Sequence, residues 1–284
     1  MKKIGFTLLL TFIIISCNES TGPAEDPNFQ YPVKIGNAWN YNLLISFINI
    51  SPDSIANILL PIDTLYENIS ITGKKVLQDS IQTYALSVEN KDNETSILST
   101  FYYKHNTSGL YRIGYKNLGS ATTVPKINSD RRIRFKVHGQ YYNTLKELLH
   151  TITHNIPGLP AADDSVTYEN PPRLSLQYPL KTGAQWMYFM NESYRIEKEI
   201  AGIENITVPA GRFSCYKIVY LYNWFGDNAL NWTEDIEYTD FVSDKGLVLR
   251  KIIYRNNILT NDNGKELGRF DLQDVYELAG YTVE

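Results

Sequence analysis

Tyr31 to Tyr41 reads YPVKIGNAWNY, and Tyr178 to Tyr188 reads YPLKTGAQWMY. The two stretches share Tyr-Pro-aliphatic-Lys-x-Gly-x-x-Trp-x-Tyr without a gap. Other pairs follow in the same order: Ile71-Thr72-Gly73 with Ile200-Ala201-Gly202, and Gly109-Leu110 with Gly246-Leu247. The spacing between pairs changes, so the chain reads as two similar units with loops of different length. Within the motif, Pro32 and Pro179 fix φ and favour an extended entry. Gly36 and Gly183 permit a turn with positive φ. Trp39 with Tyr41, and Trp186 with Tyr188, sit two residues apart, on one face of a strand. Such aromatics could form a platform for a sugar or lipid. Their bulk fits a core anchor that closes each sheet better, because large aromatics dominate core burial.

Outward from the motifs the pattern is of strands. Tyr84, Leu86 and Val88 alternate, as do Ile97, Ser99, Phe101 and Tyr103. Ile218, Tyr220 and Tyr222 share a face, Ile236 and Tyr238 alternate, and Leu247, Leu249 and Ile253 read as one strand. Val208-Pro209-Ala210-Gly211, Asp244-Lys245-Gly246 and Asn261-Asp262-Asn263-Gly264 have hairpin-turn chemistry. The expected fold is mainly β, with antiparallel, curved, half-barrel-like sheets in two similar units. The first β unit is placed at residues 31–140 and the second at 178–284.

Between them, residues 141–177 read as a helix and linker. Thr144-Leu145-Lys146-Glu147 has the form of a capping box. Leu145, Leu148, Leu149 and Ile152 follow at helical spacing, and Pro157-Gly158 stops the run. This single helix is expected to cover an apolar sheet surface or plug a half-barrel. Glu147, His150 and His154 lie on its polar face. That face is where solvated residues belong, so no metal site is assigned.

The N-terminus carries its own signal. Met1-Lys2-Lys3 precedes an apolar run from Ile4 to Ile15 and then Ser16-Cys17. The run is shorter than the roughly 20 residues that span a bilayer. It resembles the bacterial lipobox, which implies cleavage after residue 16 and lipid attachment at Cys17. Residues 17–30 are polar, contain Gly22, Pro23 and Pro27, and read as a flexible tether. Cleavage would leave 268 of the 284 residues. The formal charge is −4, and loss of Lys2 and Lys3 takes it to about −6. An acidic chain without a basic tract is a poor nucleic-acid partner. With Cys17 acylated, Cys215 is left as a lone thiol. Its strand context suits a small core residue, and the fold must rest on its core without a disulfide.

The second unit resembles a group of uncharacterised exported β-proteins of Gram-negative bacteria. The resemblance lies in Tyr178-Pro179-Leu180-Lys181-x-Gly183-x-x-Trp186-x-Tyr188, Val208-Pro209-Ala210-Gly211-x-Phe213-x-Cys215-x-Lys217-Ile218 and Asp244-Lys245-Gly246-Leu247-Val248. It covers about residues 178–254. The first unit keeps the Tyr-Pro…Trp motif but lacks Val-Pro-Ala-Gly. The group is remotely similar to the LolA-like half-barrels of lipoprotein carriers. The resemblance implies a fold and no biochemical activity.

No nucleophile elbow, phosphate loop, dinucleotide fingerprint or CxxC pair is present. The basic cluster Arg131, Arg132, Arg134, Lys136 and His138 alternates with Ile133, Phe135 and Val137. Arg132, Arg134 and Lys136 are therefore the candidate ligand-binding residues, set against the plainer reading of a solvated edge strand. The expected protein is a non-enzymatic lipoprotein of the cell envelope, anchored in the outer membrane through its acyl chains. It would need no cofactor and would bind an apolar or amphiphilic ligand. The competing readings are a scaffold that binds protein partners and, less favoured, a hydrolase.

Overall fold

The computed structural model describes residues 25–59, 64–91, 96–116, 133–137, 140–143, 165–192, 194–224 and 235–284. These form one 14-stranded antiparallel sheet, curled into a nearly closed barrel. The first strands are β1 (Ala38–Ser51), β2 (Leu65–Val76), β3 (Gln82–Lys91), β4 (Ser96–Asn106) and β5 (Gly109–Lys116). Then come β6 (Ile133–Val137), β7 (Gln140–Tyr142) and β8 (Thr167–Gln177). The last are β9 (Gln185–Met190), β10 (Tyr194–Val208), β11 (Gly211–Trp224), β12 (Ile236–Ser243), β13 (Gly246–Asn261) and β14 (Glu266–Thr282). The strand order is β8-β5-β4-β3-β2-β1-β14-β13-β12-β11-β10-β9. The short β6–β7 hairpin branches off β13. Two meanders, β1 to β5 with β8 and β9 to β14, thus meet at the β1–β14 ladder and share one continuous sheet.

Alternation sets the sheet's inside. In β10, Tyr194, Ile196, Lys198 and Ile200 are buried and the residues between them are not, the period of two that a pleated strand imposes. The expected hairpins are present. Val208 pairs with Gly211 and Ser243 with Gly246, and Asn261 and Gly264 share a turn hydrogen bond at 2.9 Å. Gly246 has φ +106°, and a β-carbon there would lie 2.8 Å from Trp39 Nε1. Only glycine suits that position.

Each Tyr-Pro…Trp motif docks on the other half of the chain. Trp39 Nε1 donates to Lys245 O at 2.5 Å, and the Tyr41 hydroxyl donates to Leu247 O at 2.8 Å. Tyr178 N donates to Ser108 O at 3.1 Å, and Trp186 Nε1 donates to Leu174 O at 2.9 Å. The Tyr31 amide donates to the Tyr178 hydroxyl at 2.9 Å and so links the two motifs. Gly36 and Gly183 both have positive φ, and their amides donate to Ile71 O and Ile200 O at 3.0 and 2.8 Å. Both carbonyls sit beside a bulge, at Ile71/Gly73 and Ile200/Gly202.

Among the described residues no backbone ladder joins β8 to β9, the two ends of the sheet. Side chains bridge this seam instead. They are the Trp186 bond to Leu174 O and a bond from Lys198 Nζ to Ser175 O at 3.0 Å. At one level of the barrel the interior is filled. Leu43, Ile45, Ile252, Tyr254, Phe270 and Leu272 pack there with Phe135 of β6.

Two sequence readings differ from this structure. Residues 167–177, assigned to the linker, form β8. Pro171 and Pro172 sit in a part of β8 that skips ladder pairs, between Arg112↔Arg173 and Gly114↔Tyr168, and an edge strand tolerates them there. Leu247 and Leu249 do not share a face of the kind expected, because Val248 is an extra residue between the pairs Val242↔Leu247 and Phe241↔Leu249. A bulge reverses the side-chain parity beyond it. The helix expected near residues 145–152, with Glu147, His150 and His154, lies outside the described residues, as do residues 1–24 with Cys17.

Candidate functional site

The barrel encloses a cavity of about 340 Å³, inside the roughly 300–1,000 Å³ range of ligand pockets. Its two sides differ. Strands β1 to β4 contribute a mainly apolar wall, with Leu43, Ile45, Leu65, Leu86, Val88 and Phe101, interrupted by Asn90 and Ser99. Glu67 is a half-buried acid of that wall, and desolvation pushes its carboxyl up to about 7 against the opposing pull of Arg250. Lys91 on the same side is exposed and pairs with Glu89 at 3.0 Å.

The facing wall carries charge. Arg112 of β5, Arg173 of β8, Lys198 of β10 and Arg250 of β13 line it together with Asp240 of β12. Arg250 grips Asp240 with two bonds, Nε to Oδ1 at 2.7 Å and Nη2 to Oδ2 at 3.0 Å. The Tyr220 hydroxyl donates to the same carboxylate at 2.7 Å. Burial alone would raise the Asp240 carboxyl, but Arg250 overrides it and holds the group below its ordinary range. Arg112 and Arg173 share one carboxylate. Arg112 Nη2 reaches Glu169 Oε1 at 2.6 Å, and Arg173 Nε reaches Oε2 at 2.5 Å.

Lys198 stands apart from these pairs. Only 4% of it is exposed, and among the described residues no carboxylate lies within ion-pair distance. Its ammonium donates to Ser175 O and sits 4.3 Å from the Tyr188 ring centre and 4.2 Å from that of Tyr220. These cation–π contacts hold a charge that burial disfavours. Burial lowers the Lys198 pKa to about 8.

Tyr188 is the middle of this wall. Arg173 lies 5.8 Å from its ring centre, Lys198 4.3 Å and the Tyr220 ring 5.7 Å. Burial raises its hydroxyl, and the charges of Arg112, Lys198, Arg173 and Arg250 outweigh burial and bring it down to about 8. A phenol is lowered only where the local potential is strongly positive.

The residues chosen from sequence lie elsewhere. Arg134 and Lys136 are on β6, opposite Thr260 and Ile258 of β13, and neither lines the cavity. Arg134 is exposed, and Lys136 covers the Tyr141 ring at 5.3 Å. Arg132 lies outside the described residues. Cys215 is fully buried beside Trp39 and Phe241, and burial pushes its thiol up to about 12. Among the described residues no group of three or more His, Cys, Asp or Glu side chains is placed to hold a metal ion.

The residues that sequence reading passed over had a common signal. Leu65-x-Glu67-x-Ile69, Ile196-x-Lys198-x-Ile200 and Tyr238-x-Asp240-x-Val242 each put one charge in the apolar register of a strand. In the basic cluster the charges hold the register opposite to the apolar residues, which is the outward pattern.

No family model and no curated protein matches the sequence. Among solved structures, the chain is similar to a candidate exported protein with a YmcC-like fold from Bacteroides fragilis. The TM-score is 0.35 at 13% identity, over 89% of this chain and 99% of that one. It is also similar to a candidate lipoprotein from Parabacteroides distasonis, with a TM-score of 0.35 at 13% identity, over 91% of this chain and all of the other. At that level of superposition neither likeness bears on function.

Proposed function

We propose that this protein is an envelope lipoprotein, anchored at the outer membrane through Cys17, that holds an apolar or amphiphilic ligand inside its barrel. We also read its two halves as copies of one ancestral β unit. The observation that carries the binding role is the 340 Å³ chamber with an aliphatic wall on β1 to β4. A protein that needs only stability gains by filling such a space, since voids cost contact energy. Aliphatic side chains along one side of a concave volume favour a hydrocarbon group there.

The test uses the signal-deleted Cys17→Ala protein made in a Gram-negative host. Native mass spectrometry should show a lipid-sized adduct, and the delipidated protein should take up the uncharged dye N-phenylnaphthylamine. Val88→Trp, which fills the chamber from its apolar wall, should abolish uptake. A clean polypeptide mass together with no dye uptake by the folded protein overturns the reading. In parallel, full-length Cys17→Ala should leave the membrane fraction; if it still sediments there, the anchor is not Cys17.

A further inference from the structure

The two walls also specify which end of a ligand goes where. We propose that the chamber selects an anionic amphiphile, whose phosphate or carboxylate head lies against Tyr188, Lys198 and Arg250 and whose tail lies along β1 to β4. This rests on the reading of the barrel as a ligand chamber and adds the head-group chemistry.

The charge inventory carries it. Four cations line or enter the polar wall, Arg112, Arg173, Lys198 and Arg250, and two carboxylates answer them, Glu169 and Asp240. Glu67 stands on the opposite wall, and burial favours its neutral form. The polar wall therefore holds about two positive charges in excess. Uncompensated charge in a low-dielectric interior is costly, and an anionic head group would relieve that cost while the tail covers aliphatic surface.

The arrangement is also built rather than incidental. The Arg250–Asp240 pair is locked by Tyr220, whose ring stacks on Tyr238 at 3.9 Å. Lys198 is wedged between Tyr188 and Tyr220. The donors are thus held in place before a ligand arrives, which reduces the ordering cost of binding. Among the described residues the Tyr188 hydroxyl has no protein hydrogen-bond partner, so it is free to donate to an anion. A cationic head would meet the same wall with like charge.

The experiment is a head-group series on the delipidated wild-type protein by isothermal titration, with dodecyl phosphate, dodecanol, dodecyltrimethylammonium and inorganic phosphate. Dodecyl phosphate should bind about tenfold tighter than dodecanol, the difference that one charge-assisted contact supplies, and the ammonium should bind weakest. Inorganic phosphate should bind at least about 100-fold more weakly than dodecyl phosphate, because it leaves the apolar wall uncovered. Lys198→Met should lower the ratio of dodecyl phosphate affinity to dodecanol affinity. Arg134→Glu, on the outer hairpin, should leave the preference intact.

Equal binding of dodecyl phosphate and dodecanol, or preference for the ammonium, overturns the head-group assignment while the chamber reading stands. Inorganic phosphate binding as tightly as dodecyl phosphate makes this a free-anion site and overturns the amphiphile. If none of the probes binds, the chamber reading falls and this inference with it. The wild-type series decides the matter even if Lys198→Met does not fold.

Discussion

Tyr41 and Tyr188 close the same eleven-residue motif and have opposite surroundings. Tyr41 is 2% exposed, donates to Leu247 O, and is held neutral by burial. Both rings line the cavity, but Tyr188 stands among four cations that pull its hydroxyl down to about 8. The tryptophans differ likewise. Trp39 sits on β1, which has ladders to β2 and β14 on both sides. Trp186 sits on β9, which among the described residues ladders only to β10. The first motif is placed where the sheet is continuous and the second where the sheet ends. A motif at a sheet end can give up part of its packing role, and the second copy sets its hydroxyl among the chamber's cations where the first bonds a backbone carbonyl.

The largest effect expected from this comparison is on the tryptophans. Trp39→Ala should cost about 3–5 kcal/mol, the range for large buried aromatics, and should lower the unfolding midpoint of the whole barrel. Trp186→Ala should cost less globally. Its main effect should be faster amide exchange in β8 and β9, because Trp186 closes a seam that has no backbone ladder. Equal global losses with no local exchange signature would show that β9 is as firmly held as β1.

The paired Asp240 of the polar wall contrasts with a buried acid that lines neither wall, Asp274. It lies on β14 with Ile45 and Ile252 opposite. It is fully buried, and among the described residues neither carboxylate oxygen has a hydrogen-bond partner. Burial pushes its pKa up to about 7 from an ordinary 3.8. The folded state therefore binds a proton that the unfolded state releases. Stability is greatest below the unfolded value and falls as pH rises, until the loss is complete above about 7. The loss amounts to about 4 kcal/mol at most. Glu67 adds a smaller loss of the same sign. Asp274→Leu should raise stability by about 2–4 kcal/mol above neutral pH and flatten denaturant midpoints between acid and neutral pH. A variant no more stable than wild type at alkaline pH would mean that Asp274 has a partner in solution.

The strand character was legible because period-two alternation is local. Tyr84, Leu86 and Val88 line the chamber together as their spacing requires. The turns were legible because glycine at Gly211, Gly246 and Gly264 meets a positive φ. The seam between β8 and β9 was not, since it depends on which strands lie at the sheet's ends, a long-range fact. Arg250 was hidden by the bulge at Val248, which turns it inward two residues after the visible pattern breaks. Lys198 was visible in principle, as a charge in the apolar register of β10. A dense run of arginines drew attention to β6 instead, yet dense charge marks an outward face and single charge within an apolar face marks an inward site.

The smallest effects expected at neutral pH come from the tyrosine hydroxyls, and they separate the two motifs most directly. Tyr41→Phe leaves Leu247 O without its side-chain partner and should cost about 1 kcal/mol at any pH below about 10, where the hydroxyl is protonated in both states. Above that the cost should shrink, because burial keeps the folded hydroxyl protonated while the unfolded one ionises. Tyr188→Phe should change stability by less than about 0.5 kcal/mol at neutral pH, where the hydroxyl is protonated in both states. The difference appears in alkali. A folded-state pKa of about 8 against an ordinary 10 means that the folded protein releases this proton first. Tyr188 then contributes stability that is fully present above about 10 and is lost as pH falls through about 8, worth up to about 3 kcal/mol. Lys198 adds a gain of the same direction, because its folded pKa of about 8 also lies below its ordinary value. Because the Tyr188 and Lys198 charges favour one another, Tyr188→Phe should alter the Lys198 contribution as well as remove one early step in the tyrosinate absorbance titration. Dodecyl phosphate should suppress that step in the wild type by opposing the ionisation of Tyr188. An unchanged titration in Tyr188→Phe would mean that the four cations do not converge on this hydroxyl, and the contrast between the motifs would reduce to packing alone.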